Sequence, residues 1–206
     1  ALTGIGALEG WDGWSRQAAA ELLYEQIGAF FMPRADVLAG NPPWVNWEYL
    51  PEDYRARTAP LWQKYELIAA KGRELSFLKE DLSVLLLYAG MDRLLHSGGT
   101  ACVVLRQSLL QAERSGAGFR RFVIAPSGEG VCVMRAEDLS RVKVFGAVNG
   151  RAVLVTLKKG TQQVWPVPYG VWTQQRGFRR AEREGRTRER LQMREEEAWP
   201  SRAEDP

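Results

Sequence analysis

Residues 36–44 read Asp36-Val37-Leu38-Ala39-Gly40-Asn41-Pro42-Pro43-Trp44, and this stretch decides how the rest of the chain is read. A short apolar run that stops at a turn signal predicts a buried strand feeding a rigid turn. The two prolines fix φ, remove two backbone donors and hold their predecessors extended. The turn therefore presents the amide oxygen of Asn41 and the carbonyl of Pro42 as two acceptors in a nearly fixed relation, with the Trp44 ring beside them.

The flanking sequence has a recognisable rhythm. Upstream, residues 14–32 carry apolar side chains at helical spacing, and Pro33 stops the pattern. Downstream, 45–78 is aromatic-rich without a clear period and reads as an extended, partly helical insertion. Residues 79–97 give the best helix, with Leu82, Leu85, Leu86, Ala89 and Leu94 on its spacing and Gly98-Gly99 closing it. Thr100–Leu105 follows as an apolar strand and Gln107–Arg114 as a helix. Strand, helix, strand, helix is the signature of a parallel sheet. Later, Val142–Val148 and Arg151–Leu157 flank Asn149-Gly150, which predicts an antiparallel hairpin.

Bulk composition bounds the function. The 206 residues suffice for one domain and a tail, and 45% hydrophobic content builds a core. Twenty-eight basic against 25 acidic side chains leave a net charge of +3, compatible with nucleic acid without arguing for it. Cys102 and Cys132 lie in apolar strand-like runs and read as reduced core residues. No stretch approaches the roughly 20 apolar residues of a membrane span, no leader is evident, and the chain reads as cytoplasmic. Lacking an initiator methionine and stopping within a Pro/Arg/Glu-rich segment, it reads as a piece of a longer protein. Glu52-Asp53 and Glu80-Asp81 read as helix-start charges rather than catalytic dyads, and no spacing suggests a metal site.

Two rigid acceptors beside an aromatic face suit a conjugated amino group. Its lone pair is delocalised into the ring, so it is a poor nucleophile. Acceptors that hold both amino hydrogens favour a pyramidal nitrogen, which stabilises charge developing in the transition state. Trp44 is placed to stack on the ring, a contact worth about 1–3 kcal/mol against the few kcal/mol needed to extrude a base from a duplex.

In these residues the chain resembles the amino-methyltransferases that use S-adenosylmethionine, and more narrowly the adenine-specific DNA enzymes of restriction–modification and phage-defence systems. Residues 79–110, the run Val144–Asn149 followed by 151–159, and Trp165–Trp172 resemble that family's later elements. The likeness covers roughly 35–175. It implies an α/β fold, the later strands of a partial Rossmann-like sheet ending in an antiparallel hairpin. Asn41, Pro42, Pro43 and Trp44 would be catalytic, and Trp44 and Phe145 would contact the flipped base; Trp47, just beyond the motif, is placed by its position to line the pocket mouth beside it. Double-stranded DNA would be the partner, with a nuclease or target-recognition domain in the parent protein.

The family's pattern fails at the cofactor. Its glycine turn, and the acidic and polar residues of its first three strands, do not fit within forty residues, since one βα unit takes about 30. Gly4-Ile5-Gly6 reads as a loop. Asp36 is the one candidate left for cofactor binding, though it more naturally fixes the turn. Most of the S-adenosylmethionine site is thus expected upstream. The expected organisation is a helical lead-in over 1–34, a base-handling part over 35–175 and a charged linker or tail over 176–206. Two other readings keep the turn: a protein-glutamine or RNA-guanine amino-methyltransferase, or a non-catalytic DNA-binding or scaffold fragment.

Overall fold

Among the described residues, seven strands form one open mixed sheet in the computed structural model of the protein. The structure describes residues 33–68, 80–111, 116–144, 151–175 and 187–200. The chain divides into two units, Ala1–Arg34 and Ala35–Pro206, and the sheet belongs to the second. The helix expected over 14–32 and the Gly4-Ile5-Gly6 loop lie outside the described residues.

The strands are β1 (Ala35–Gly40), β2 (Leu95–Arg106), β3 (Val123–Ile124), β4 (Glu129–Arg141), β5 (Ala152–Lys159), β6 (Val167–Gln174) and β7 (Leu191–Ala198). They lie in the order β1-β2-β5-β4-β6-β7, with β3 paired to β4. The β1–β2 and β4–β6 pairs are parallel; the other pairs are antiparallel. Helices α1 (Glu52–Lys64) and α2 (Leu82–Leu94) make the crossover between β1 and β2, and α3 (Ser108–Gln111) follows β2. The mixed α/β sheet expected from the sequence is thus present, a parallel beginning joined to an antiparallel continuation. Among the described residues no helix is long and apolar enough to cross a membrane.

The main core lies between the sheet and these helices. Leu82, Leu85, Tyr88 and Met91 bury one face of α2, while Leu86 points outward. Asp81 caps the helix, its Oδ1 accepting from the Ser83 N–H at 3.0 Å, as its reading as a helix-start charge requires. Trp62 on α1 packs edge-on against Trp47, with ring centroids 5.6 Å apart. Burying large apolar side chains such as these contributes roughly 1.5–3 kcal/mol each. At the other end of α2, the fully buried Lys159 donates to the carbonyls of Met91 (2.9 Å) and Leu95 (3.0 Å), satisfying acceptors the helix leaves open.

Four expectations need correction. First, β1 is not buried: it is an edge of the described sheet, and of its six residues only Leu38 is partly covered. Leu38 packs toward α2, where a Cβ on Gly90 would come within 3.1 Å of it. A short apolar run does not say whether one face or both are covered. Second, Gly98-Gly99 does not close the helix. β2 begins at Leu95, and Gly98 takes φ +81° where the β1–β2 register shifts, so the glycine serves a bulge.

Third, the partner of β5 is Glu129–Arg141 rather than Val142–Val148, with Asp138 opposite Val153. The apolar residues are concentrated in the later run, whereas β4 carries charges that its neighbours satisfy. The expected Asn149-Gly150 turn lies outside the described residues. Fourth, Leu191–Ala198 is no linker but an edge strand, antiparallel to β6 from Val167↔Ala198 to Gln174↔Leu191. Its side chains are mostly exposed on both faces, so no period marks it. Charged side chains along an edge also discourage unwanted strand pairing.

Candidate functional site

The turn 41–45 leaves the carboxyl end of β1, where Gly40 pairs with Val103 of β2. In open α/β sheets ligands bind beyond the carboxyl ends of the parallel strands. Asn41 and Pro43 are exposed; Pro42 and Trp44 are half-buried. Among the described residues the Asn41 side chain has no hydrogen-bond partner, so both of its amide functions face outward unengaged.

Trp44, by contrast, is fixed. Its Nε1 donates to the Val104 carbonyl at 3.2 Å, which sets the plane of the indole. Its own carbonyl accepts from Arg106 Nη2 at 3.0 Å. The same guanidinium donates through Nη1 to Asn46 Oδ1 at 3.1 Å, and its Nε lies 3.4 Å from Asp81 Oδ2. One side chain at the end of β2 therefore ties the turn to the cap of α2. Backbone bonds complete the fastening: Leu82 N–H to Val45 O and Trp47 N–H to Glu80 O, both 2.8 Å. Among the described residues, the Asn41 end of the turn is left open.

Glu80 stands behind this arrangement. Both of its carboxylate oxygens accept from the Gly116 N–H, at 3.1 and 3.0 Å. Burial pushes its pKa up to about 7, against the pull of that N–H and of Arg120.

A second polar cluster lies at the same end of the sheet. The buried Asp138 accepts from Gln107 Nε2 (3.1 Å), Tyr169 Oη (3.0 Å) and the Ser140 N–H (2.8 Å). Gln107 is in turn fixed by its N–H to Arg151 O at 2.8 Å. Burial, and then the neighbouring Asp138, push the Tyr169 hydroxyl up to about 12. Sequence reading missed this cluster and the role of Arg106. A glutamine after a strand and an aspartate in a charged run carry no signal until the sheet brings them together.

The structure separates the remaining candidates. Trp47, expected at the pocket mouth beside the base, is 6% exposed and packed on Trp62, so its ring belongs to the core; the three-residue 3₁₀ turn Trp47–Tyr49 sends it inward and leaves Tyr49 exposed. Asp36 lies within β1, exposed, five residues before Asn41. At about 3.3 Å per residue that is roughly 16 Å of extended chain, too far to fix the turn. Phe145 lies outside the described residues.

No family model matches the chain, and no curated protein matches it. Among solved structures it is similar to the M protein of the Type I restriction enzyme EcoKI, with a TM-score of 0.35 and 18% identity over 70% of this chain and 26% of that one. It is also similar to the ATP-dependent Type ISP restriction-modification enzyme LlaBIII, solved bound to DNA, with a TM-score of 0.36 and 15% identity over 66% of this chain and 10% of that one. The chain therefore spans about a quarter of the first protein and a tenth of the second. Likeness at these scores carries neither activity nor substrate to this chain.

Proposed function

We propose that this chain is the base-handling part of a DNA amino-methyltransferase of the adenine-specific kind, acting on a base flipped out of double-stranded DNA. The observation that carries the reading is the contrast within one turn: an unengaged Asn41 amide beside a Trp44 ring fixed by β2. The Asn41 amide oxygen and the Pro42 carbonyl accept the two hydrogens of the exocyclic amino group. Trp44 stacks on the ring and holds it in plane with those acceptors. Arg106 is a positioning residue, since it acts through Trp44 and Asn46.

S-adenosylmethionine would supply the methyl group in such a reaction. The described residues do not fit its site: β1 has no described strand on its outer side, and Asp36 stands away from the turn. Cofactor binding would fall to residues other than those described.

The base-handling half of the proposal is testable by itself. Short single-stranded oligonucleotides that carry 2-aminopurine, a fluorescent adenine analogue whose emission a duplex already quenches, should be quenched on binding through stacking on Trp44, and Trp44→Ala should abolish the quenching. Equal quenching by both proteins, or tighter binding of a glutamine-containing peptide or of RNA than of DNA, would move the substrate elsewhere.

A further inference from the structure

Strands β4 and β6 run parallel, so their carboxyl ends lie side by side, with Asp138 paired to Val171 and Arg141 to Thr173. β7 extends the same surface: Glu196 lies opposite Tyr169, Arg194 opposite Val171 and Gln192 opposite Thr173. Residues directly opposite one another share a face of the sheet. On this face they border a groove made of two adjoining cavities of about 380 and 420 Å³, and Arg141, Val171 and Arg194 line both. Gln107, just after β2, and Arg151, just before β5, close the first cavity.

The two faces handle charge differently. On the opposite face Arg135 meets Glu137 and Glu195, and Trp172 Nε1 donates to Glu137, so the charges are matched. On the groove face the Asp138 carboxylate is already saturated by Gln107, Tyr169 and the Ser140 N–H. Arg194 pairs with Glu196. Arg141 and Arg151 are exposed, and among the described residues neither has an ion-pair partner. Their guanidiniums present fixed forks of donors to an open groove, which suits oxyanions. Because the groove runs on past Arg141 along β6 and β7, it suits a chain of anions better than a single one.

We infer that this groove binds the sugar-phosphate backbone of a nucleic-acid strand, with Arg141 and Arg151 each on a phosphate. The inference rests on the proposed function in taking nucleic acid as the partner, and it adds the track of the strand. Gln107 borders the groove and directly follows Arg106, whose guanidinium holds Trp44. A strand seated in the groove is thereby delivered beside the Asn41 turn.

The test is binding of labelled single-stranded and duplex oligonucleotides by the full chain across a range of salt concentrations. The double variant Arg141→Gln/Arg151→Gln is compared with Arg121→Gln, an exposed arginine beside the opposite end of β4; circular dichroism and thermal unfolding verify that each variant is folded. Each phosphate contact contributes about 0.7–0.9 to the slope of log affinity on log salt. The double variant should therefore lose about 1.4–1.8 of that slope, and Arg121→Gln none. An unchanged slope, an equal loss in Arg121→Gln, or competition by inorganic phosphate or polyglutamate as effective as by oligonucleotide would each overturn the inference. Failure here is distinguishable from failure of the proposed function. Groove-dependent binding without Asn41-dependent methyl transfer removes the function and keeps the groove. Asn41-dependent transfer with a double variant that binds like the unmodified chain does the reverse.

Discussion

Arg106 Nη2 donates to the carbonyl oxygen of Trp44 at 3.0 Å, so the last residue of β2 holds the turn that follows β1. The same side chain faces Asp81, whose carboxylate is 2% exposed. Fold and site thus share one guanidinium, and disturbing it should register in both.

Replacing Arg106 with alanine leaves the Asp81 charge without its cation and the Trp44 carbonyl without its donor. The expected loss is on the order of 2 kcal/mol, measured by chemical denaturation. Arg106→Lys should restore part of the stability, since it returns the charge. It should not restore the three-way geometry, so base binding should stay weakened while folding recovers.

Trp44→Phe keeps an aromatic face but removes the donor to Val104 O. A cost of about 1 kcal/mol in stability is expected, with quenching of 2-aminopurine retained but reduced. Trp44→Ala should weaken binding of that base by about 1–3 kcal/mol, the usual worth of one stacked base. A titration of each variant with the same oligonucleotide separates the two effects.

Lys159 is fully buried and reaches the Met91 and Leu95 carbonyls and, at 3.3 Å, Glu129. Lys159→Met matches the stem in length but strands those acceptors. A loss on the order of 3 kcal/mol is expected, visible as a lowered midpoint in urea with an unchanged slope. A neutral substitution would show that the helix end is hydrated instead.

Glu80 gives the fold a pH dependence of unusual sign. Its folded pKa, about 7, lies above the ordinary 4.5 because burial disfavours the charge. The folded state therefore holds a proton that the unfolded chain has released. This contribution is fully present below about 4.5 and is lost as pH rises to about 7. A shift of this size corresponds to roughly 3 kcal/mol. Unfolding free energies at pH 5 and pH 8 should differ more, in favour of pH 5, for the unmodified protein than for Glu80→Gln. Parallel pH profiles for the two would remove Glu80 as the cause.

Much of the fold is legible in the sequence. The β1-turn-helix-strand rhythm and the parallel β1–β2 pair followed from the 36–44 run and the Leu-rich helix, where period and punctuation agree. Strands β4 and β7 were not legible in the same way. Arg135, Glu137 and Asp138 make β4 look like a loop until Trp172, Glu195, Gln107 and Tyr169 satisfy them. β7 exposes both faces and leaves no alternation to read. At the site, the Asn41 turn carried its own signal, because prolines act locally. Arg106 did not, since its importance lies in contacts 60 and 62 residues away along the chain. Trp47 was misplaced for a related reason: proximity in sequence to the turn does not say which way a side chain faces.

The most direct test of the central claim is methyl transfer from labelled S-adenosylmethionine to unmethylated DNA. It should be run on this chain and on a protein extended upstream of Ala1, each beside its Asn41→Ala variant. Label should appear on adenine with the extended protein and fall by about two to three orders of magnitude in Asn41→Ala, the usual effect of removing a group that stabilises transition-state charge. The chain alone should give little or none. Adenine labelling that survives Asn41→Ala, or labelling of protein or RNA with DNA left untouched, would contradict the account.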